Sequence, residues 1–177
     1  MHRICVAIWE TGEWPEEWTF STFIPLPKKG DLKQCANYRT IALISHASKI
    51  LLWIILEWIR VKTEREIADE QAGFRQGRGT RDQITNRRIL MHKACEHQQS
   101  FYMCFVDFKK AFDSISHDKF WVTMMDMGYP LHLIDLLAKL YKKQLAKVKV
   151  AGTLSEWFRV KKGVRKVVSS LRTRSTS

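Results

Sequence analysis

The sequence predicts an α+β fold in which helices cover a β-sheet, and three local patterns support this prediction. Residues 101–108 are apolar at almost every position, as in a strand that is covered on both faces. Apolar residues recur at helical spacing between Leu51 and Ile59. Two strand-like segments flank Gly152-Thr153-Leu154-Ser155, which is typical of a hairpin. Helical and extended patterns therefore occur together in one chain.

The individual elements follow from the same local patterns, together with the residues that begin and end each segment. In chain order, the patterns predict a helix over residues 15–19, strands over 20–25 and 39–44, helices over 47–62 and 80–97, a strand over 101–108, helices over 117–126 and 131–141, and a hairpin of strands over 144–151 and 156–161.

The long helix over 47–62 is predicted from a core-facing stripe formed by Leu51, Ile54, Ile55, Trp58 and Ile59. Trp53 falls outside this stripe, so we expect it to be exposed.

Turn and cap residues set the remaining helix boundaries. Thr80 is placed to cap the helix that follows it. Gly128-Tyr129-Pro130 ends one helix and begins the next.

Asp107 stands near the end of the apolar segment and is followed by Phe108, two lysines and Ala111-Phe112-Asp113. A carboxylate that is buried without a partner is costly, so Asp107 either faces solvent or binds a cation. Capping of the next helix suits Asp113 better than Asp107. From the residues alone, both interpretations of Asp107 stay open.

A glycine-rich segment over residues 73–81 carries three arginines, Arg75, Arg78 and Arg81. Glycines allow the backbone to approach a polyanion closely. The segment lacks the lysine and hydroxyl spacing of a Walker loop. For each arginine taken singly, a solvated surface charge is an equally good interpretation.

The composition limits the class of partner. The chain has 177 residues, 45% of them hydrophobic, and a formal net charge of +12. This charge favours a polyanion such as nucleic acid over an acidic protein or a membrane, with salt-sensitive binding. The cysteines at positions 5, 35, 95 and 104 form no close pair, so we predict neither a zinc site nor a disulfide. We find no secretory signal or transmembrane segment and expect an intracellular protein, in the cytoplasm or nucleus.

Four stretches occur in an order that resembles a known family. They are residues 23–31 with Asn37-Tyr38-Arg39-Thr40-Ile41, residues 71–75 with Arg78 and Thr80, residues 105–113, and residues 152–163 with Trp157-Phe158-Arg159-Val160. Together they resemble the fingers and palm motifs of a LINE-type, non-LTR retrotransposon reverse transcriptase. The resemblance runs from about Trp14 to Arg165.

The resemblance implies a partial right-hand fold. It implies fingers over about 14–98, an incomplete palm over about 99–165 and no thumb. Residues 1–13 would be an upstream extension, and residues 166–177 a divergent, basic and disordered tail.

The resemblance also implies roles for single residues. Asp107 would be the catalytic carboxylate and a metal ligand, and the backbone carbonyl of Phe108 would be a second ligand. Phe112 would crowd the ribose 2′ position and favour deoxynucleotides. The implied nucleotide-binding residues are Lys28, Lys29, Arg39, Phe108 and Phe112, and the implied nucleic-acid-binding residues are Arg75, Arg78 and Arg81.

By resemblance, the complete domain transfers nucleotidyl groups with two Mg²⁺ ions. Its implied partners are an RNA template, a DNA primer and dNTP, and no membrane partner is implied. After Arg165 the sequence departs from the family, which continues with Gln-Gly, Ser-Pro and Tyr-Ala-Asp-Asp. We therefore expect weak or absent Mg²⁺ binding and no activity of this chain alone. Whether another chain completes the palm stays open. A non-catalytic nucleic-acid-binding module and a nonfunctional translated relic are the alternatives.

Overall fold

The computed structural model describes residues 1–73, 75, 77–108 and 110–165. In this part of the chain, the helices and strands are α1 (His2–Thr11), α2 (Glu16–Thr19), β1 (Phe20–Pro27), β2 (Tyr38–Leu43), α3 (His46–Glu66), α4 (Thr80–Glu96), α5 (Ala111–Ser114), α6 (His117–Asp126), α7 (Leu131–Lys142), β3 (Leu145–Val150), β4 (Thr153–Leu154) and β5 (Phe158–Arg159). The mixture of helix and sheet agrees with the α+β prediction. The tail predicted over 166–177 lies outside the described residues.

The chain folds as two units. The first, here called the sheet unit, comprises residues 1–58 and 110–165, and the second, here called the helical unit, comprises the described residues of 59–108. Residues of α3 belong to both units. Among the helices described, none has the length and apolar character needed to cross a membrane.

The sheet unit is built on strands in the order β2-β1-β3-β4, with β5 also paired to β3. Strand β1 is antiparallel to β2 and parallel to β3. Strands β4 and β5 are each antiparallel to β3, which confirms the hairpin topology. The predicted bounds differ, because Thr153 and Leu154 of the predicted turn form β4 and the second strand is shorter than 156–161. The parallel pairing of β1 with β3 joins two segments that lie more than a hundred residues apart, and no local pattern predicts it.

Two prolines lie within β1 without disrupting the sheet. Pro25 and Pro27 lie beyond the part of β1 that pairs with β3. The backbone N–H of Lys28 donates to the carbonyl of Asn37 (2.7 Å), so the alternation of strand hydrogen bonds turns Pro25 and Pro27 away from β2. Their missing N–H groups therefore cost no ladder hydrogen bond.

Helix α7 provides much of the core of the sheet unit. Its buried residues recur at helical spacing: Leu133, Ile134, Leu136, Leu137, Leu140 and Tyr141. Burying a leucine side chain contributes roughly 1.5–3 kcal/mol. The indole N–H of Trp14 donates to the carbonyl of Leu136 (2.8 Å) and ties the chain before α2 to this helix.

The predicted core stripe of α3 was only partly right. Leu51 and Ile55 are buried as predicted, whereas Ile54 and Trp58 are exposed. The buried face of α3 also contains Leu52, so this face is rotated toward Leu52 relative to the prediction. Apolar residues occur on several sides of α3, and their spacing therefore does not show which side is buried. Trp53 is exposed, as predicted.

Helix α1, which was not predicted from the sequence, packs through aromatic rings. The ring of Trp9 lies 4.6 Å from that of His132 and 5.2 Å from that of Trp58, in edge-to-face geometry. Such pairs add about 0.5–1.5 kcal/mol beyond the burial of their area.

The helical unit contains the predicted helix over 80–97, observed as α4, but not the predicted strand. Gly79, not Thr80, is the N-cap, and its N–H donates to Asp82 Oδ2 (2.9 Å). Residues 101–108 adopt no strand, and all of them are exposed, so the prediction of a buried strand was wrong. A strand needs a hydrogen-bonded neighbour, and no described strand pairs with this segment.

Candidate nucleic-acid and nucleotide interface

The loop between β1 and β2 places three basic residues at one end of the sheet. Lys28 and Lys29 begin the loop, Arg39 lies in β2, and all three are exposed. None of the three forms an ion pair with another described residue. Their charges are therefore available to an anion.

This loop is held by its own hydrogen bonds. Asn37 Nδ2 donates to the carbonyl of Asp31 (2.7 Å), and the hydroxyl of Tyr38 donates to the carbonyl of Leu32 (3.0 Å). Gly30 has φ +117°, and a Cβ there would lie 3.2 Å from Asn37 Nδ2, so this position favours glycine. The loop thus presents its cations from a fixed backbone.

The arginines of the glycine-rich segment differ in how far they are engaged within the helical unit. The Nε of Arg75 donates to Glu64 Oε1 (2.7 Å), and its Nη1 lies 3.7 Å from Asp69 Oδ1. The hydrogen bond to Glu64 raises the pKa of Arg75. Arg78 donates to the carbonyl of Asp69 (2.6 Å), and Arg81 is exposed with no ion pair to a described residue.

Asp107 and Phe108 lie on the exposed segment of the helical unit rather than at the end of a strand. Two metal ions require several carboxylates, since each Mg²⁺ takes oxygen ligands in an octahedron. Among the described residues, no group of three or more Asp, Glu, His or Cys side chains is placed to hold a metal ion. The residues described do not fit a two-metal centre.

Phe112 lies on α5 in the sheet unit, and the segment before Arg165 holds its backbone in place. The carbonyl of Phe112 accepts a hydrogen bond from the N–H of Val164 (2.9 Å), and the carbonyl of Ile115 accepts one from Gly163 (2.8 Å). The imidazole Nε2 of His117 lies 2.8 Å from the carbonyl of Gly163. A carbonyl only accepts, so Nε2 carries the proton in this contact.

Gly163 is required at this contact for two reasons. Its φ is +92°, and a Cβ there would lie 3.1 Å from Asp113 Cα and 3.2 Å from the carbonyl oxygen of Phe112. Both neighbours are backbone, so they can give way only by moving α5.

Arg165 is a structural residue whose burial the sequence did not predict. Its guanidinium donates to the carbonyls of Trp18 (3.0 Å) and Thr19 (2.8 Å) and to Ser48 Oγ (3.3 Å), and its backbone N–H donates to the hydroxyl of Tyr141 (3.1 Å). Burial lowers the pKa of Arg165 to about 10. From the sequence, Arg165 was named only as the approximate end of the family resemblance, because no local pattern indicates a guanidinium that bonds to residues over a hundred positions away.

Comparison with protein families agrees with the motif order. The family model described as "Reverse transcriptase (RNA-dependent DNA polymerase)" matches residues 26–168. This match contains both the loop cations and the segment with Asp107.

Curated relatives come from transposable elements. The "Transposon TX1 uncharacterized 149 kDa protein" of Xenopus laevis is 27% identical over 93% of this chain and 12% of its own length. The "Probable RNA-directed DNA polymerase from transposon BS" of Drosophila melanogaster is 32% identical over 63% of the chain and 13% of its own length. The "Retrovirus-related Pol polyprotein from type-2 retrotransposable element R2DM" of the same organism is 26% identical over 93% of this chain and 15% of its own length. The chain thus spans about an eighth to a seventh of these relatives.

Proposed function

Because the chain belongs to the reverse transcriptase (RNA-dependent DNA polymerase) family and matches non-LTR retrotransposon proteins, we propose that it is the part of an RNA-directed DNA polymerase that binds template, primer and nucleotide. In this proposal, the fingers span about 14–98 and the palm about 99–165. The single observation that carries it is the end of the β1–β2 hairpin, where Lys28, Lys29 and Arg39 are exposed, form no ion pair with a described residue and lie within the family match.

The loop cations suit a triphosphate or a nucleic-acid backbone. Arg39 offers a planar fork that matches phosphate oxygens, and Lys28 and Lys29 act as point charges. Phe112 would discriminate between sugars from α5, where the contact with Val164 fixes its backbone. Arg81 ranks above Arg75 as a nucleic-acid contact, because Arg75 is already bonded to Glu64.

Catalysis by this chain alone is not part of the proposal. The family generally uses divalent metal ions, and Asp107 with the Phe108 carbonyl would supply ligands to one of them. One carboxylate is a poor Mg²⁺ site, and the described residues offer no cluster around it. We therefore expect this chain to bind nucleic acid without extending a primer.

Fluorescence anisotropy with a labelled RNA–DNA template-primer tests the binding proposal. The double variant Lys28→Gln/Arg39→Gln should weaken binding about tenfold and lower the slope of log affinity against log salt by about 2, since two phosphate contacts are lost. The matched control Lys119→Gln/Lys161→Gln removes the same charge from exposed positions elsewhere and should change affinity less than about twofold. Equal losses in the two variants would contradict the proposal.

A second candidate function is a nucleic-acid-binding module without any part in polymerisation. The exposure of residues 101–108 around Asp107 favours it, because the proposed metal ligand is not held by a sheet. Primer extension with Mg²⁺ tests the inactivity that both candidate functions predict for this chain alone, and extension that disappears in Asp107→Asn would contradict it. Binding that is weak and equal across variants would favour a nonfunctional translated relic.

A further inference from the structure

The sheet unit contains a cavity that the proposed function does not use. Its volume is about 450 Å³, within the range of small-molecule sites. Part of its wall is formed by apolar and aromatic residues, which include Phe23, Trp53 and Val160.

The cavity is distinct from the residues assigned above to polymerase chemistry. None of the residues proposed to bind nucleotide, nucleic acid or metal lines it: Lys28, Lys29, Arg39, Arg75, Arg78, Arg81, Asp107, Phe108 and Phe112 are all absent from its described wall. A ligand in this cavity would therefore bind to residues other than those proposed for polymerase chemistry.

The charge of the wall is strongly positive. The cavity is lined by Lys49, Lys110, Lys162 and Arg165, against the single carboxylate of Asp113 in the described wall. None of these four cations forms an ion pair with a described residue. Cations gathered around one space repel each other, and an anion between them removes this repulsion.

Three buried polar atoms beside the cavity have no hydrogen-bond partner among the described residues. They are Ser21 Oγ, Gln144 Oε1 and Arg165 Nε, and each belongs to a residue that is more than nine-tenths buried and that lines the cavity. Buried polar groups without partners are rare and costly. The guanidinium of Arg165 is also a buried charge without a carboxylate partner, which only its neutral hydrogen-bond acceptors now compensate.

The backbone at the cavity is strained at a cationic residue. Lys110 has φ +53°, a left-handed backbone conformation that residues other than glycine rarely adopt. Such strain persists where surrounding structure holds it in place, and it is enriched at binding sites.

We propose that this cavity binds a small aromatic anion: a planar apolar body against Phe23 and Trp53, with one anionic group among Lys49, Lys110, Lys162 and Arg165. The ring accounts for the apolar wall, and the anionic group compensates the excess of positive charge.

Isothermal titration calorimetry with phenyl phosphate tests this site on the whole chain. We expect one-to-one binding that is stronger than that of phenol or inorganic phosphate, because each of these carries only half of the recognised chemistry. Phenyl phosphate that binds no better than inorganic phosphate would overturn the aromatic part of the proposal, and absence of binding would overturn it entirely.

Two neighbouring lysines provide a matched pair of variants. Lys162 lines the cavity and Lys161 does not, both are exposed, and either change to Gln removes one charge. Lys162→Gln should lower the affinity for phenyl phosphate about fivefold, because it removes one close charge. Lys161→Gln should change this affinity by less than about twofold. Equal effects would assign the binding to net charge.

A competition experiment separates this site from the proposed nucleotide site. Saturating dTTP should leave the affinity for phenyl phosphate unchanged, and Lys28→Gln/Arg39→Gln should do so as well. If dTTP displaces phenyl phosphate from the unchanged chain but not from Lys28→Gln/Arg39→Gln, the cavity is part of the nucleotide site. That result would overturn the proposal of a separate site. A failure of template-primer binding, by contrast, would leave this result unaffected.

Discussion

The sheet unit and the helical unit are both rich in apolar residues, but only the sheet unit buries them. In α7, Leu136 and Leu140 are 1% and 0% exposed, whereas Phe105 and Phe108 in the helical unit are 73% and 76% exposed. None of the described residues over 59–108 is buried. Apolar composition alone therefore does not make a core, because each element needs a neighbour to cover it.

The difference arises from pairing. In the sheet unit, β1 has partners on both sides at Thr22 and Phe23, and α7 packs through a continuous stripe. In the helical unit, α4 has no buried residue, and Phe105 has the guanidinium of Arg87 5.6 Å from its ring centre. Asp107 thus lies in the unit with the weaker packing.

Truncation of a leucine in each unit should give the largest contrast. Leu140→Ala should lower the free energy of unfolding by about 2–5 kcal/mol, because it leaves a cavity in the core of the sheet unit. Leu90→Ala, at an exposed position of α4, should change it by less than about 0.5 kcal/mol. Urea unfolding followed by circular dichroism measures both, and equal losses would mean that the helical unit has a core as well.

A pair of glycine substitutions should give the next largest effect. Gly163→Ala should cost about 1–3 kcal/mol, since it adds steric overlap with the backbone of α5 to an unfavourable φ. Gly152→Ala shares a positive φ (+86°) but meets no atom within 4 Å, so it should cost less. A Gly152→Ala variant that is as destabilised as Gly163→Ala would show that backbone conformation, and not the contact with α5, requires Gly163.

Arg75→Ala should act locally, in the helical unit. Losing the bonds to Glu64 and to the carbonyl of Ala68 should speed thermolysin cleavage between residues 67 and 79, with little change in the melting temperature of the sheet unit. Arg81→Ala, which removes no ion pair with a described residue, is the control. Cleavage that is unchanged in Arg75→Ala would show that these bonds do not hold the segment.

The smallest effect should come from the surface ion pair of the sheet unit. Lys143 Nζ donates to Glu13 Oε2 (2.6 Å) and holds the pKa of Glu13 below its ordinary value of 4.5. The folded state therefore favours the carboxylate, so its contribution is present above pH 4.5 and is lost as the pH falls through the lowered pKa.

Urea unfolding of Glu13→Gln against the unchanged chain measures this contribution. The variant should be slightly less stable at about pH 7 and equally stable in strong acid. Glu156→Gln, which removes a carboxylate without an ion pair to a described residue, should show no such trend. A difference that persists in acid would assign the effect to packing.

The sequence predicted the elements whose signals are local. The two strands of the β1–β2 hairpin, α3, α4, α6, α7 and the turn at Gly152 follow from periodicity, caps and glycine positions, and all are observed. The strand over 101–108 was predicted from the same kind of signal, but periodicity does not record whether a neighbouring strand exists.

Much of the site depended on tertiary contacts. The family resemblance implied Lys28, Lys29 and Arg39 as nucleotide-binding residues, and the structure adds that they are exposed and form no ion pair with a described residue. Arg75 and Arg81 were both predicted from the sequence to bind nucleic acid. In the structure, Arg75 donates a hydrogen bond to Glu64, whereas Arg81 forms no ion pair with a described residue. No local pattern indicates the cavity, because its wall joins β1, β2, α3 and the segment up to Arg165.

Amide hydrogen exchange followed by mass spectrometry tests the contrast between the units most directly. Peptides covering 133–141 of α7 should exchange slowly, since opening them requires unfolding of the sheet unit. Peptides covering 101–108 should exchange nearly as fast as an unstructured chain. Protection over 101–108 equal to that over 133–141 would show that the segment with Asp107 is a paired strand and would contradict the account.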